Sequence, residues 1–140
     1  MPSVLLIIDD EPQILETTRW AFEAIGFEVA SATTGEEALE RFKIFRPQAL
    51  LIDYKLPRMS GVDFLKEARV MDPSVAAVMI TGLIHQSDTI ETECRQNGAF
   101  ALLRKPLRME VVFQVVKDAM RAQVDHSKPG EPGDSGDSRA

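Results

Sequence analysis

The chain has 140 residues, a formal net charge of −6 and a hydrophobic content of 44%, which fits one globular domain. Its acidic balance argues against binding of nucleic acid or of an anionic membrane by the chain as a whole. Cys94 is the only cysteine, so an internal disulfide and a thiolate metal cluster are both excluded. The apolar runs are too short for a signal peptide or a membrane span, so the cytoplasm is the expected location.

Short apolar runs alternate with longer amphipathic stretches along the chain. Strands are predicted at 4–8, 27–31, 49–52, 75–80 and 100–103. Most of these runs are continuously apolar, as expected for strands that are buried on both faces of a parallel sheet. Helices are predicted at about 12–25, 35–45, 61–70, 87–97 and 108–124. The alternation predicts an α/β fold of (βα)₅ type, a doubly wound five-stranded parallel sheet with helices on both faces.

The composition changes at Ser127. The last segment, SKPGEPGDSGDSRA, contains three glycines, two prolines and no large apolar residue. Such a segment cannot bury enough apolar surface to offset the entropy of ordering it. The predicted organisation is therefore a domain over 1–126 and a disordered tail over 127–140.

Polar side chains follow four of the five predicted strands. The first strand ends in Asp9 and Asp10, the third in Asp53, the fourth in Thr81, and the fifth in the sequence RKP that contains Lys105. Each feature alone is typical of a solvated turn. Together they indicate a site, because ligands of an open parallel sheet bind beyond the carboxyl ends of its strands.

This set of side chains suits one kind of chemistry. Three carboxylates fit Mg²⁺, which prefers oxygen ligands and retains water. A carboxylate can also act as a nucleophile and form an aspartyl phosphate, while Lys105 and the Thr81 hydroxyl could contact the phosphoryl oxygens. Without a metal, the crowding of like charges is expected to raise the pKa of at least one carboxyl group.

Four segments resemble the receiver domain of two-component response regulators. They are IIDDEP at the first strand, LLIDYKLPRMSG at the third, MITG at the fourth and RKP at the fifth, and the likeness extends over residues 4–124. The resemblance implies a flavodoxin-like strand order of 2-1-3-4-5. It also implies a signalling switch that receives a phosphoryl group from a histidine kinase or a phosphotransfer protein, and no conventional enzyme beyond its own phosphorylation and dephosphorylation.

The resemblance also implies a role for each acid of the site. Asp53 is similar to the phosphoacceptor of the family, and Asp9 and Asp10 are similar to its Mg²⁺-binding acids. The backbone carbonyl of Lys55 would be a further metal ligand. The Lys55 side chain stands at a position that tunes the lifetime of the phosphate, and we expect it to contact the phosphoryl group or its water.

Further positions follow from the same comparison of motifs. Thr81 and Lys105 would contact the phosphoryl group, and the peptide bond before Pro106 would be cis, a form that only X-Pro bonds adopt at low cost. Leu83 would also tune the phosphate lifetime. Leu102 stands where the family usually carries an aromatic switch residue, so an aromatic switch at this position is not expected to operate in the usual way.

Two helices carry candidate partner surfaces. The predicted inward stripes are Ile14, Thr18, Ala21, Phe22 and Ile25 on the first helix and Met109, Val112, Phe113, Val116 and Met120 on the fifth. Trp20 then points outward and could contact a phosphodonor protein. Val111 and Val115 fall on the outer side of the fifth helix, as scattered exposed residues or as a docking or homodimer surface.

Three functions compete. The leading interpretation is a phosphorylation-controlled switch that acts through protein–protein contacts, as a stand-alone receiver, a phosphorelay intermediate or a fragment of a larger regulator. The second is a receiver-like binding module that is never phosphorylated. The third is an Mg²⁺-dependent phosphatase, which is disfavoured because the chain lacks a DxD arrangement and a cap segment.

Overall fold

The computed structural model describes residues 2–82 and 87–126. Over these ranges, strands alternate with helices from one end to the other. The strands are β1 (Val4–Ile8), β2 (Glu28–Ala32), β3 (Ala49–Asp53), β4 (Ala76–Thr81) and β5 (Ala101–Arg104). The helices are α1 (Pro12–Ala24), α2 (Gly35–Phe45), α3 (Gly61–Met71), α4 (Ser87–Gln96) and α5 (Met109–His126). The predicted tail over 127–140 lies outside the described residues, as does Leu83.

The strands form one sheet in the order β2-β1-β3-β4-β5, and every pair of neighbours is parallel. This confirms the predicted (βα)₅ doubly wound fold with its 2-1-3-4-5 order. The chain reverses its direction of winding between β1 and β3, which are hydrogen-bonded neighbours in the middle of the sheet. Ligands of this fold bind beside that reversal, at the carboxyl ends of the strands.

Capping residues, a proline and a glycine mark where three of the helices begin or end. The hydroxyl groups of Thr34 and Ser60 accept hydrogen bonds from backbone N–H groups in the first turns of α2 and α3, which satisfies donors that a helix end leaves free. Pro12 occupies the first turn of α1, where its missing N–H costs nothing. Gly26 follows the end of α1 with a φ of 101°, a conformation that glycine adopts without strain.

The sheet separates two layers of core. Alternate residues of β1 point to opposite faces: Leu6 and Ile8 pack in the layer beneath α2, α3 and α4, whereas Leu5 and Ile7 pack in the layer beneath α1 and α5. All four side chains are fully buried. The continuous apolar runs of the sequence are therefore explained by burial on both faces of the sheet.

The predicted helix stripes need one correction. Ile25 was expected to face inward, but α1 ends at Ala24 and Ile25 is 42% exposed. Leu15 packs against the core from α1 instead. On α5 the stripe is confirmed, because Val112 and Val116 are buried and Met109, Phe113 and Met120 pack against the same layer.

The described helices differ from membrane-spanning helices. None combines the length and the apolar content that crossing a bilayer requires.

Candidate functional site

Three carboxylates meet at the carboxyl ends of β1 and β3. Asp9, Asp10 and Asp53 each offer an oxygen atom, and these oxygens lie within 4.8 Å of one another. Asp9 and Asp53 are buried, whereas Asp10 faces solvent. The register explains the meeting, because Ile8 pairs with Ile52 and so the next residues, Asp9 and Asp53, lie side by side.

The Asp9 carboxylate is only partly satisfied by the protein. Its Oδ1 atom accepts a hydrogen bond from the backbone N–H of Glu11 at 2.9 Å. Its buried Oδ2 atom accepts no hydrogen bond from any described residue, and its nearest cation is the Lys105 ammonium at 3.3 Å. A buried anionic oxygen without a donor is costly unless a cation lies beside it.

Lys105 supplies the positive charge of the site. Its Nζ atom lies 3.1 Å from Asp53 Oδ2 and 2.6 Å from Glu11 Oε1. Its backbone N–H donates to the carbonyl of Thr81 at 2.9 Å, which ties the end of β5 to the end of β4. The Lys105–Pro106 peptide bond is cis, as the resemblance implied.

The pKa values of Asp53 and Lys105 are both raised, for different reasons. Burial, and then the charge of Asp9, raise the pKa of Asp53 to about 6, although Lys105 acts against the shift. This agrees with the expected effect of crowded carboxylates. Burial lowers the pKa of Lys105, but its hydrogen bonds to Glu11 and Asp53 and the nearby charges outweigh burial and raise it. The ammonium therefore stays protonated at neutral pH.

The loop after β3 holds Asp53 in place. The backbone N–H of Lys55 donates to Asp53 Oδ1 at 3.3 Å, and the N–H of Gly61 donates to the carbonyl of Tyr54 at 2.9 Å. A Cβ atom at Gly61 would lie 2.3 Å from the Asp53 carbonyl oxygen. Only glycine lets the start of α3 approach the phosphoacceptor candidate so closely.

An open cleft of about 360 Å³ adjoins the carboxylates. Its lining consists of Asp10, Glu11, Asp53, Lys55, Leu56, Pro57, Gly82 and Lys105. The donor set fits Mg²⁺, since it consists of hard carboxylate oxygens, one of them a buried oxygen to which none of the described residues donates a hydrogen bond. The buried Thr81 ends β4 next to these groups, because its neighbour Ile80 pairs with Asp53.

Other predicted residues lie away from the cleft. Leu102 is half-buried and packs against the layer beneath α2, α3 and α4. Trp20 is 66% exposed on α1, as predicted. Val111 is 41% exposed, but Val115 is half-buried against the core. The outer apolar surface of α5 is therefore narrower than expected.

Glu11 belongs to the site, although the sequence motif did not predict it as a site residue. Glu11 contacts Lys105 more closely than either buried aspartate does. Its position directly after Asp9 and Asp10 was the available signal, because the next residue in sequence stays near the same end of the sheet.

Known proteins resemble the chain in sequence. Residues 5–117 match the model of the response regulator receiver domain. The regulatory protein AtoC of Escherichia coli is 30% identical over 85% of the chain, and the response regulator receiver protein Anae109_2439 of Anaeromyxobacter is 34% identical over 79% of it. The chain spans only 25% and 45% of the lengths of these two relatives.

A solved structure agrees with this match. The CheY-like response regulator receiver domain protein of Methanospirillum hungatei superimposes with a TM-score of 0.82 at 28% identity, over 91% of this chain and 100% of that one. The chain therefore belongs to the receiver domain family of response regulators, signalling modules that bind Mg²⁺ at an acidic cluster and interact with histidine kinases or phosphotransfer proteins.

Proposed function

We propose that Asp53 accepts a phosphoryl group from a histidine kinase or a phosphotransfer protein, and that the loaded site changes the protein–protein contacts of the domain. One observation carries this proposal. The Asp53 carboxylate lies in an oxygen cluster with Asp9 and Asp10, and the Lys105 ammonium lies 3.1 Å from its outer oxygen. A nucleophile and a positive charge for phosphoryl oxygens are thus adjacent at the mouth of an open cleft.

The transfer requires an ionised Asp53. With a pKa of about 6 this carboxyl group is mostly ionised at neutral pH. One of its oxygens forms a bond to phosphorus while the bond between phosphorus and the donor breaks, and the donor leaves with that electron pair. Lys105 and the Thr81 hydroxyl then stabilise the added negative charge.

Mg²⁺ belongs to the same proposal. The carboxylates of Asp9, Asp10 and Asp53 and the backbone carbonyl of Lys55 would hold it. When bound, the ion neutralises charge on the phosphoryl oxygens. The side chain of Lys55 and, as the resemblance implies, Leu83 are proposed to tune the lifetime of the phosphate.

The proposed output is a change of contacts made by a cytoplasmic protein. Trp20 on α1 offers a large exposed ring to a phosphodonor protein, and Val111 offers a small apolar contact on α5 for a partner or a second copy. A role as a stand-alone receiver or as a phosphorelay intermediate fits this output. The chain corresponds to a quarter to a half of its two regulatory relatives, so the same domain could equally act within a larger regulator.

The test is the intact mass of the protein after incubation with a small phosphodonor, with and without Mg²⁺. We expect one phosphoryl adduct that needs Mg²⁺ and that disappears in Asp53→Asn. Asp63→Asn, which changes an exposed aspartate on α3, is the matched control and should still form the adduct. If neither the small donor nor a kinase labels the wild type, the unphosphorylated binding module becomes the better function.

A further inference from the structure

Tyr54 connects the candidate phosphoacceptor to a helix on the sheet surface. It directly follows Asp53, and its hydroxyl donates a hydrogen bond to Glu93 Oε1 on α4 at 2.7 Å. The ring is half-buried and packs against the core layer to which Ile90 and Cys94 of α4 belong. The Tyr54 side chain therefore touches α4, while its backbone directly follows the end of β3.

The backbone of Tyr54 is held firmly. Its N–H donates to the carbonyl of Ile80 at 2.7 Å, and its carbonyl accepts from the N–H of Gly61 at 2.9 Å. The next backbone N–H, that of Lys55, donates to Asp53 Oδ1. Because the loop bonds directly to the Asp53 carboxylate, a change in that carboxylate acts on the segment that carries the tyrosine ring.

The remaining side-chain hydrogen bonds of α4, among the residues described, do not reach the site. Arg95 donates to the carbonyl of Phe100 at 3.0 Å, beside the start of β5. Arg95 also pairs with Glu91, and Asn97 bonds to the Glu93 carbonyl, within or just after the helix. Leu102 has no polar group that could bond to Thr81 or to α4. Tyr54, in contrast, hydrogen-bonds α4 to the site end of the sheet.

We propose that the hydrogen bond between Tyr54 and Glu93 transmits the state of the Asp53 site to α4. The inference rests on the proposed function. In the unloaded domain the bond holds α4 against the sheet. Loading of Asp53 adds negative charge beside Tyr54 and displaces the Asp53–Lys55 loop. The hydrogen bond from Tyr54 to Glu93, 2.7 Å long, is lost after a shift of roughly 1 Å. Helix α4 is then released for a partner.

The bond has the strength that this role requires. Its acceptor is a carboxylate, and hydrogen bonds to charged groups are stronger than neutral ones. The same contact, followed by burial, raises the pKa of Tyr54 to about 12. Loss of such a bond should raise the local opening of α4 by about tenfold.

The experiment is hydrogen exchange of the α4 peptide, followed by mass spectrometry. Wild type, Tyr54→Phe and Glu91→Gln are compared, each free and loaded with Mg²⁺ and beryllium fluoride, an analogue of the phosphoryl group. Tyr54→Phe removes only the hydroxyl group and keeps the ring. Glu91→Gln removes a carboxylate of α4 that bonds within the helix, so it is the matched control.

We expect faster exchange of α4 in unloaded Tyr54→Phe, by about tenfold relative to wild type. Loading should accelerate α4 exchange by a similar factor in wild type and in Glu91→Gln, and should add little in Tyr54→Phe. Equal acceleration on loading in wild type and Tyr54→Phe would overturn the inference, as would unchanged exchange in unloaded Tyr54→Phe. Absence of a phosphoryl adduct on Asp53 would instead overturn the proposed function, and the coupling with it.

Discussion

The Nζ atom of Lys105 lies 2.6 Å from Oε1 of Glu11, closer than to either buried aspartate. Glu11 is the more exposed partner, with 56% of its side chain accessible. The ammonium is thus shared between the buried acids and a residue at the rim. This ammonium offsets the crowding of the carboxylates, and we expect it to compete with Mg²⁺ for the same oxygens.

Removal of the Lys105 ammonium should strengthen the binding of Mg²⁺. We expect Lys105→Ala to bind Mg²⁺ several-fold more tightly than wild type, because the carboxylates lose their competing partner, and to accept a phosphoryl group more slowly. Titration calorimetry with Mg²⁺ measures the first effect and intact mass the second. Lys117→Ala, on the exposed side of α5, should match wild type in both. Weaker Mg²⁺ binding by Lys105→Ala would contradict the competition.

Gly61 is expected to be intolerant of any side chain. In Gly61→Ala the new Cβ atom would lie 2.3 Å from the carbonyl oxygen of Asp53, so the start of α3 must move. The expected loss in the free energy of unfolding is about 1–3 kcal/mol, as for other overpacked sites. Urea denaturation gives the value. Gly82→Ala is the control, because its nearest neighbour would be the Lys105 Cδ atom at an ordinary 3.9 Å; an equal loss in both variants would refute the steric explanation.

Cys94 should be an unreactive thiol with a characteristic pH dependence. Burial, and then the nearby charges of Glu93 and Glu91, raise its pKa from 9.0 to about 11. Because the folded state holds this proton more tightly than the unfolded chain, the associated stability is fully present below pH 9 and is lost as the pH rises towards 11. Alkylation by iodoacetamide should be slow at pH 8 in the native protein and fast in urea. Because the chain has one cysteine, the mass of the adduct reports on Cys94 alone. Fast native alkylation at pH 8 would show that the thiol is accessible.

Trp20 should matter for a protein donor and not for the fold. Its ring is 66% exposed, so Trp20→Ala should change the free energy of unfolding by no more than about 0.5 kcal/mol. Phosphorylation by a small donor should be unchanged, while transfer from a kinase or phosphotransfer protein should slow severalfold. The ratio of the two rates is the measurement. A normal rate of transfer from the protein donor would exclude Trp20 from the contact.

Lys55 should affect how long the phosphate survives. Its side chain lines the cleft, and its backbone N–H bonds to Asp53 Oδ1. We expect Lys55→Ala to shorten the lifetime of the Asp53 phosphate severalfold, because the long side chain no longer restricts access of water. Loss of the adduct with time, followed by mass, tests this; Lys66→Ala on α3 is the control. An unchanged lifetime of the phosphate would exclude a contact between the Lys55 side chain and the phosphoryl group or its water.

The site acids could be predicted because they depend on a simple rule of topology. Continuous apolar runs indicated buried parallel strands, and parallel strands bring their carboxyl ends together, so Asp9, Asp53 and Lys105 meet although they are far apart in sequence. A glycine after a helix, as Gly26 after α1, is also a signal that can be read from the sequence, since it acts on its immediate neighbours.

The remaining contacts depend on tertiary geometry. A helical stripe does not reveal where a helix ends, and so Ile25 was assigned to the core although α1 stops one residue earlier. The bond between Tyr54 and Glu93 joins residues 39 positions apart, and that between Lys105 and Glu11 joins residues 94 positions apart. Both depend on the side-chain direction and on the exact place of a helix over the sheet, which no periodicity specifies.

The order of the strands has a consequence for synthesis on the ribosome. Chains emerge with the N-terminus first, and β1 lies between β2 and β3 in the sheet. The acids at the carboxyl ends of β1 and β3 can therefore meet as soon as β3 has emerged, well before Lys105 is translated. A nascent chain in which β1 and β3 pair at that stage would bring the carboxylates together without their ammonium partner, and we expect it to depend on cellular Mg²⁺ more strongly than the finished domain does.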